Sequence, residues 1–317
     1  MADEPKIDEA AEKALKDDGV FKDASAESDA IDTADDSESV DAEEAKSVED
    51  DEKNTEDGTS KGEEVEKPSF AAQVKELGST ILWAVGIALV LRTFIFQPFH
   101  IPSGSMLPGL MKGDYIITSK YSLGYGKYAA APLPFPREKG RLFERVPERG
   151  DVIVFRPEGE TKNFIKRIVG LPGDTIQMKD GVLHINKTAV QMEALSNESF
   201  LSSTGRSIPV EKWKETFPND TSGDAGHIIY DAQKNNPNDN TSVRTVPAGF
   251  YFFMGDNRDY SSDSRVPVRR GGAGLVPAEN LMGKAEIVLL SVDNDFVIYK
   301  PWTWGKMRGS RFFKSID

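Results

Sequence analysis

The stretch Leu77–Phe96, LGSTILWAVGIALVLRTFIF, constrains the fold more than any other part of this chain. As a helix it would be roughly 30 Å long, the thickness of the hydrocarbon core of a bilayer. A buried helix of a soluble domain would normally carry a polar face, and Ile81–Leu91 has none. A cleaved export signal is the other reading. However, the preceding region is acidic, and TFIFQPFHIPS holds no small-x-small cleavage site. The stretch therefore reads as a retained membrane anchor, with Arg92 reaching one interface and the Trp83 ring near the other. Lys61, Lys67 and Lys75 precede it, and Lys112 is the first Lys or Arg after Arg92. That bias puts the N-terminus in the cytoplasm and the following domain outside the cell membrane.

Charge divides the chain at the same place. Residues 1–67 carry 26 acidic against 8 basic side chains, a net of −18, while the whole chain carries −13, leaving about +5 for residues 68–317. A segment so charged and so poor in aromatic and β-branched residues cannot bury enough apolar surface to offset its conformational entropy. Residues 1–67 are expected to be a disordered acidic tail. No concentrated basic stripe follows, so nucleic acid is not an expected partner. The absence of cysteine excludes disulfides and thiolate chemistry. Three histidines, His100, His184 and His227, show no metal-ligand spacing, and neither metal nor cofactor is expected.

From Gln97 onward, short β-type runs alternate with turns. DYIIT (114–118), DVIVF (151–155), TIQM (175–178), VLHIN (182–186), HIIYD (227–231), GFYFFM (249–254) and AEIVLL (285–290) are expected strands. Lys179-Asp180-Gly181 has the composition of a tight hairpin turn. The fold class expected for 97–317 is mainly β, an antiparallel-sheet domain behind one N-terminal transmembrane helix. Residues of about 193–245, rich in Asn, Ser and Asp, read as an insertion, a lobe or a long surface loop.

Three segments carry residues suited to chemistry. In Phe99-His100-Ile101-Pro102-Ser103-Gly104-Ser105-Met106, a glycine between two serines allows close backbone approach, and the flanking prolines stiffen the turn. In Asn163–Asp174, strand alternation puts Phe164, Lys166 and Ile168 on one face and Ile165, Arg167 and Val169 on the other. Apolar surroundings disfavour the charged form of a lysine, which suits a base; an edge lysine reaching water is the plainer reading. In Met254–Arg265, carboxylates, amides, hydroxyls and arginines crowd one loop. Asp256, Asn257, Asp259 and Asp263 could ligate calcium, but Arg258 and Arg265 oppose a cation and favour internal Asp–Arg pairing.

Taken in order behind an anchor, PSGSM, RGDVIVF, FIKRIVGLPGD and GDNRDYSSDSR resemble the signal motifs of type I signal peptidases, serine proteases with a Ser–Lys dyad, over roughly residues 76–300. By position, the resemblance implies Ser105 as nucleophile and Lys166 as general base. It implies that the Ser103 hydroxyl supports the oxyanion beside the Ser105 amide, that Ser261 orients the lysine, and that Asp263 and Arg265 form a supporting ion pair. Phe99, Ile101, Met106, Leu110, Phe164 and Ile165 fall where the family lines small substrate pockets. The implied substrates are exported preproteins with small residues at the cleavage site. The scarcity of histidine agrees with a base other than imidazole. Two other readings are a self-cleaving repressor, disfavoured by the membrane span, and a non-catalytic, membrane-tethered scaffold on the same fold.

Overall fold

The computed structural model describes residues 70–128, 140–202, 204–218, 226–232, 236–293 and 295–316. The expected acidic tail lies outside them. The chain divides into two units, one running to Leu91 and the other taking in Arg92 onward. The first unit contributes most of helix α1, Phe70–Phe94, whose 25 residues span about 37 Å. Its Val74–Phe94 portion is long and apolar enough to cross a membrane, and its side chains are unburied.

Two sequence expectations shift here. The apolar run continues to Phe96, but the helix stops at Phe94 and Phe96 already pairs with Ser119. Pro98 lacks an N–H and steers Gln97 away from helical geometry, so the chain turns into a strand. Trp83 falls near the middle of the apolar portion rather than at its border.

The second unit is β throughout, with only short 3₁₀ turns besides, among the described residues. Its first strands are β1 (Phe96–His100), β2 (Asp114–Ser119), β3 (Val152–Phe155), β4 (Phe164–Gly170), β5 (Thr175–Lys179), β6 (Val182–Ile185) and β7 (Thr188–Ala189). There follow β8 (Gln191–Leu201), β9 (Ser207–Thr216), β10 (His227–Asp231), β11 (Arg244–Thr245), β12 (Phe250–Met254), β13 (Val276–Pro277), β14 (Leu281–Ser291) and β15 (Lys314–Ser315). The main sheet runs β1-β2-β14-β3-β4-β12-β13, with β15 on β14; β11-β5-β6-β7 and β10-β9-β8 form two smaller sheets. Neighbouring strands are antiparallel throughout.

All seven expected strands are present, within a residue or two except that β14 begins four residues earlier than AEIVLL. The turn after Lys179 places Asp180 and Gly181 both at positive φ (48° and 80°), the conformation that a two-residue hairpin of matching twist requires. The 193–245 region is not a loop. Its described residues include the three-stranded sheet β8–β10, in which β8 is mostly exposed and β9 mostly half-buried, and these two long strands lack the apolar alternation that marked β10 in the sequence.

Strand β4 holds the centre. All seven of its residues are buried, and its two faces feed different apolar clusters. Phe164 and Ile168 pack with Ile153, Phe155 and Phe253, while Ile165 packs with Phe99, Ile101, Met106 and Leu110. The alternation expected for this segment is therefore met.

Candidate active site

The connection between β1 and β2 is cinched at its base. Ile101 N–H donates to the Asp114 carbonyl (2.8 Å) and Gly113 N–H to the Ile101 carbonyl (2.9 Å). Within it, Leu107 N–H bonds the Gly104 carbonyl (3.1 Å) and Leu110 N–H the Met106 carbonyl (2.9 Å). Arg311 braces the same loop, donating to the Gly109 carbonyl (2.9 Å) and pairing with Asp114 (2.5 Å). Ser105 is thus held on a stiff loop and is 2% exposed.

Lys166 extends from β4 between β3 and β12 and is fully buried. Its Nζ donates to Ser105 Oγ at 2.7 Å. Ser103 Oγ lies 3.4 Å from Ser105 Oγ. Two segments that stand 61 residues apart in the chain therefore meet at one hydroxyl.

The loop after β12 locks this meeting in place. Asn257 N–H donates to the Ser105 carbonyl (3.0 Å), and Asn257 Nδ2 donates to the Gly104 carbonyl (3.0 Å). Asp256 takes two hydrogen bonds from Arg167, at 2.9 and 2.8 Å, which ties the loop to β4 beside the lysine. Arg167 also donates to the Gly150 carbonyl (2.7 Å). Asp263 accepts from Arg265 through both carboxylate oxygens, each at 2.9 Å, and from Gly255 N–H at 3.0 Å. Burial, the largest single influence, raises the Asp263 pKa, but the Arg265 charge together with the hydrogen bonds from Arg265 and the Gly255 N–H holds the carboxyl below its ordinary value. Charged groups this deep are tolerable because each is paired and hydrogen-bonded.

Internal Asp–Arg pairing is therefore the use this loop makes of its charges. Among the described residues, no group of three or more acidic or histidine side chains is placed to hold a metal. The histidines are engaged elsewhere. His100 packs on Tyr115, His184 Nδ1 lies 3.1 Å from the Val182 carbonyl, and His227 packs on Phe217, 3.8 Å from Glu215.

Of the expected site residues, the structure brings Ser103, Ser105, Lys166, Ser261, Asp263 and Arg265 together around this loop and strand. Ser261 departs from its expected contact. Its Oγ is buried without a hydrogen-bond partner and does not bond the lysine. It packs instead over Gly255, where an added Cβ would stand 2.2 Å from it, because the loop folds back tightly at that glycine. Five of the six expected pocket residues, Phe99, Ile101, Met106, Leu110 and Ile165, share one cluster, whereas Phe164 belongs to the next. Asn257 and the Arg167–Asp256 pair were not singled out as supports from sequence. Asn257 lies inside the GDNRD motif, but its partners are more than a hundred residues away.

A family model described as "Signal peptidase, peptidase S26" matches residues 74–290. Signal peptidase I of Rickettsia typhi (strain ATCC VR-144 / Wilmington) is 40% identical over 258 residues, 77% of this chain and 94% of the relative. Signal peptidase I of Rickettsia conorii (strain ATCC VR-613 / Malish 7) is 38% identical over 278 residues, 83% of this chain and 97% of the relative. A crystal structure of a signal peptidase I from Enterococcus faecalis V583 is 27% identical and covers 44% of this chain and 97% of its own, with a TM-score of 0.25. The family match and the rickettsial relatives, rather than that partial overlay, define the class: a serine endopeptidase. The chain belongs to the signal peptidase family, peptidase S26.

Proposed function

We propose that this protein removes N-terminal signal peptides from exported preproteins, with Ser105 as nucleophile and Lys166 as general base. The observation that carries this reading is the 2.7 Å contact between Lys166 Nζ and Ser105 Oγ inside a buried, braced site. The neutral lysine amine takes the serine proton as Oγ attacks the scissile carbonyl carbon. The resulting oxyanion is held by the Ser103 hydroxyl and the Ser105 N–H. When the C–N bond breaks, the lysine ammonium gives its proton to the departing amine, which leaves as the new N-terminus of the mature chain. A water molecule, deprotonated by Lys166, then cleaves the acyl-enzyme ester and releases the signal peptide. Phe99, Ile101, Met106, Leu110, Phe164 and Ile165, all at most 6% exposed, form the close walls that admit small side chains before the scissile bond.

The α1 helix anchors the enzyme in the cell membrane as a single span. The lysine bias ahead of it supports a cytoplasmic N-terminal tail, 1–67, and an extracytoplasmic catalytic domain, 97–317. Anchoring keeps the site near the bilayer that holds the apolar segment of its substrate. The test is cleavage of a model preprotein in detergent by wild type, Ser105→Ala and Lys166→Ala, with folding checked by thermal melting. Cutting after a small-x-small site by wild type alone supports the dyad; cutting by either folded variant sinks it.

A further inference from the structure

A cleft of about 640 Å³ opens beside the nucleophile loop. Gly104, Leu107 and Met111 line one wall, and Phe200, Leu201 and Tyr230 of the β8–β10 sheet line the other. None of the six residues assigned to the small pockets lines it. Gly104, the residue directly before Ser105, lines the cleft, although Ser105 itself does not. The far wall is fixed to the catalytic frame at two points. The Phe200 ring meets Tyr260 edge-on at 5.2 Å and stacks with Tyr230 at 6.5 Å, and Tyr230 N–H donates to the Asp256 carbonyl at 2.8 Å.

An extended peptide held across Ser105 must leave the site on both sides of the scissile bond. On the signal side the requirement is narrow, for small side chains. On the mature side it is broad, because every exported protein begins differently. A broad requirement needs a roomy, chemically mixed surface, and this cleft is within the usual range of peptide and ligand sites, about 300–1,000 Å³. Leu107, Phe200 and Leu201 give it apolar area. Arg308 and Asp293 pair at 3.5 Å, and exposed Lys112 leaves its rim net positive.

We propose that this cleft receives the first residues of the mature chain, just beyond the scissile bond, so that the β8–β9 hairpin is a specificity element of the enzyme. The inference rests on the signal-peptide reading above. It assigns a task to a part of the chain whose sequence reads as an insertion, a lobe or a long surface loop.

The experiment uses the full-length protein in detergent and peptides with one shared signal-side sequence. One peptide ends a single residue past the scissile bond; others continue for five more residues, neutral, acidic or basic. Wild type should cut the long neutral peptide about tenfold more efficiently (kcat/KM) than the short one, since remote contacts are used in the transition state. Phe200→Ala should shrink that ratio to about twofold. Wild type should favour the acidic over the basic peptide by about threefold, as for an exposed charge pair, and Lys112→Glu should invert that preference. Equal rates on short and long peptides by wild type, or unchanged ratios in both variants, would overturn the assignment. If Phe200→Ala fails to fold, the charge inversion at exposed Lys112 still decides. If wild type cuts no peptide and no preprotein, the Ser–Lys reading has failed and this one falls with it.

Discussion

At Gly255 an added Cβ would come within 2.2 Å of Ser261 Oγ and 2.6 Å of the Ser105 carbonyl oxygen. Neither neighbour can retreat easily. Ser105 is held through its carbonyl by Asn257, and Ser261 lies at the turn that leads to the Asp263–Arg265 pair. Gly255→Ala should therefore displace the serine from Lys166 while leaving most of the sheet intact. The expected result is a fall in kcat of about a hundredfold, as for a misplacement near 1 Å, with a far smaller change in melting temperature. Full activity in Gly255→Ala would show that the loop is looser than its contacts imply. Ser105 and Lys166 were legible in the sequence, and the residues that support them were not. PSGSM and FIKRIVG are local patterns, whereas Arg167–Asp256 and Asn257–Gly104 exist only once distant segments meet.

The sheet β8–β10 is coupled to the catalytic loop by a buried ion pair between Glu215 of β9 and Arg258. Glu215 is wholly buried, and removing it would strand an arginine that is 4% exposed. Glu215→Gln should destabilise the protein by about 3 kcal/mol in denaturant unfolding, the usual cost of breaking such a pair on one side. A loss within error would mean that Arg258 finds another partner. At the end of β10, burial and then a hydrogen bond with Asp259 push the Asp231 carboxyl up to about 7; Asp239 and Glu211 add to the rise. A carboxyl raised in the folded state holds its proton more tightly there, so it favours folding at acid pH and loses that favour as pH rises from about 4 to about 7. Relative to wild type, Asp231→Asn should gain melting temperature steadily across that window; a constant offset would show that Asp231 does not titrate there. Strands such as β3 and β12 were legible because their apolar runs are buried. The long strands β8 and β9 were not, because one is mostly exposed, the other mostly half-buried, and their largely polar residues give no period to read. Strand β1 was hidden because Phe96 continues an apolar run that only Pro98 interrupts.

At the scale of the molecule, two tryptophans near the C-terminus, Trp302 and Trp304, reach the surface. Trp302 is 79% exposed and Trp304 49%, alongside exposed Ile298, Tyr299 and Phe313. Aromatic rings with nearby Lys300 and Lys306 suit the border between water and lipid. In vesicles, tryptophan fluorescence should be quenched by brominated lipids, and Trp302→Phe should remove a clear share of that quenching. No change would place this face in water. Among the described residues, β8 pairs on one side only, with β9, and eleven residues of backbone edge face outward. An open edge of that length is a template on which a second chain can add its own strand. Glu193 and Glu198 interrupt its surface with charge, and the Arg–Glu and aromatic ties that hold the sheet in place keep the edge short of movement. The consequence is one of handling and of survival at high concentration: a variant such as Glu193→Val should keep its fold yet self-associate as concentration rises, by light scattering, making solubility the property that this strand's unremarkable polar residues protect.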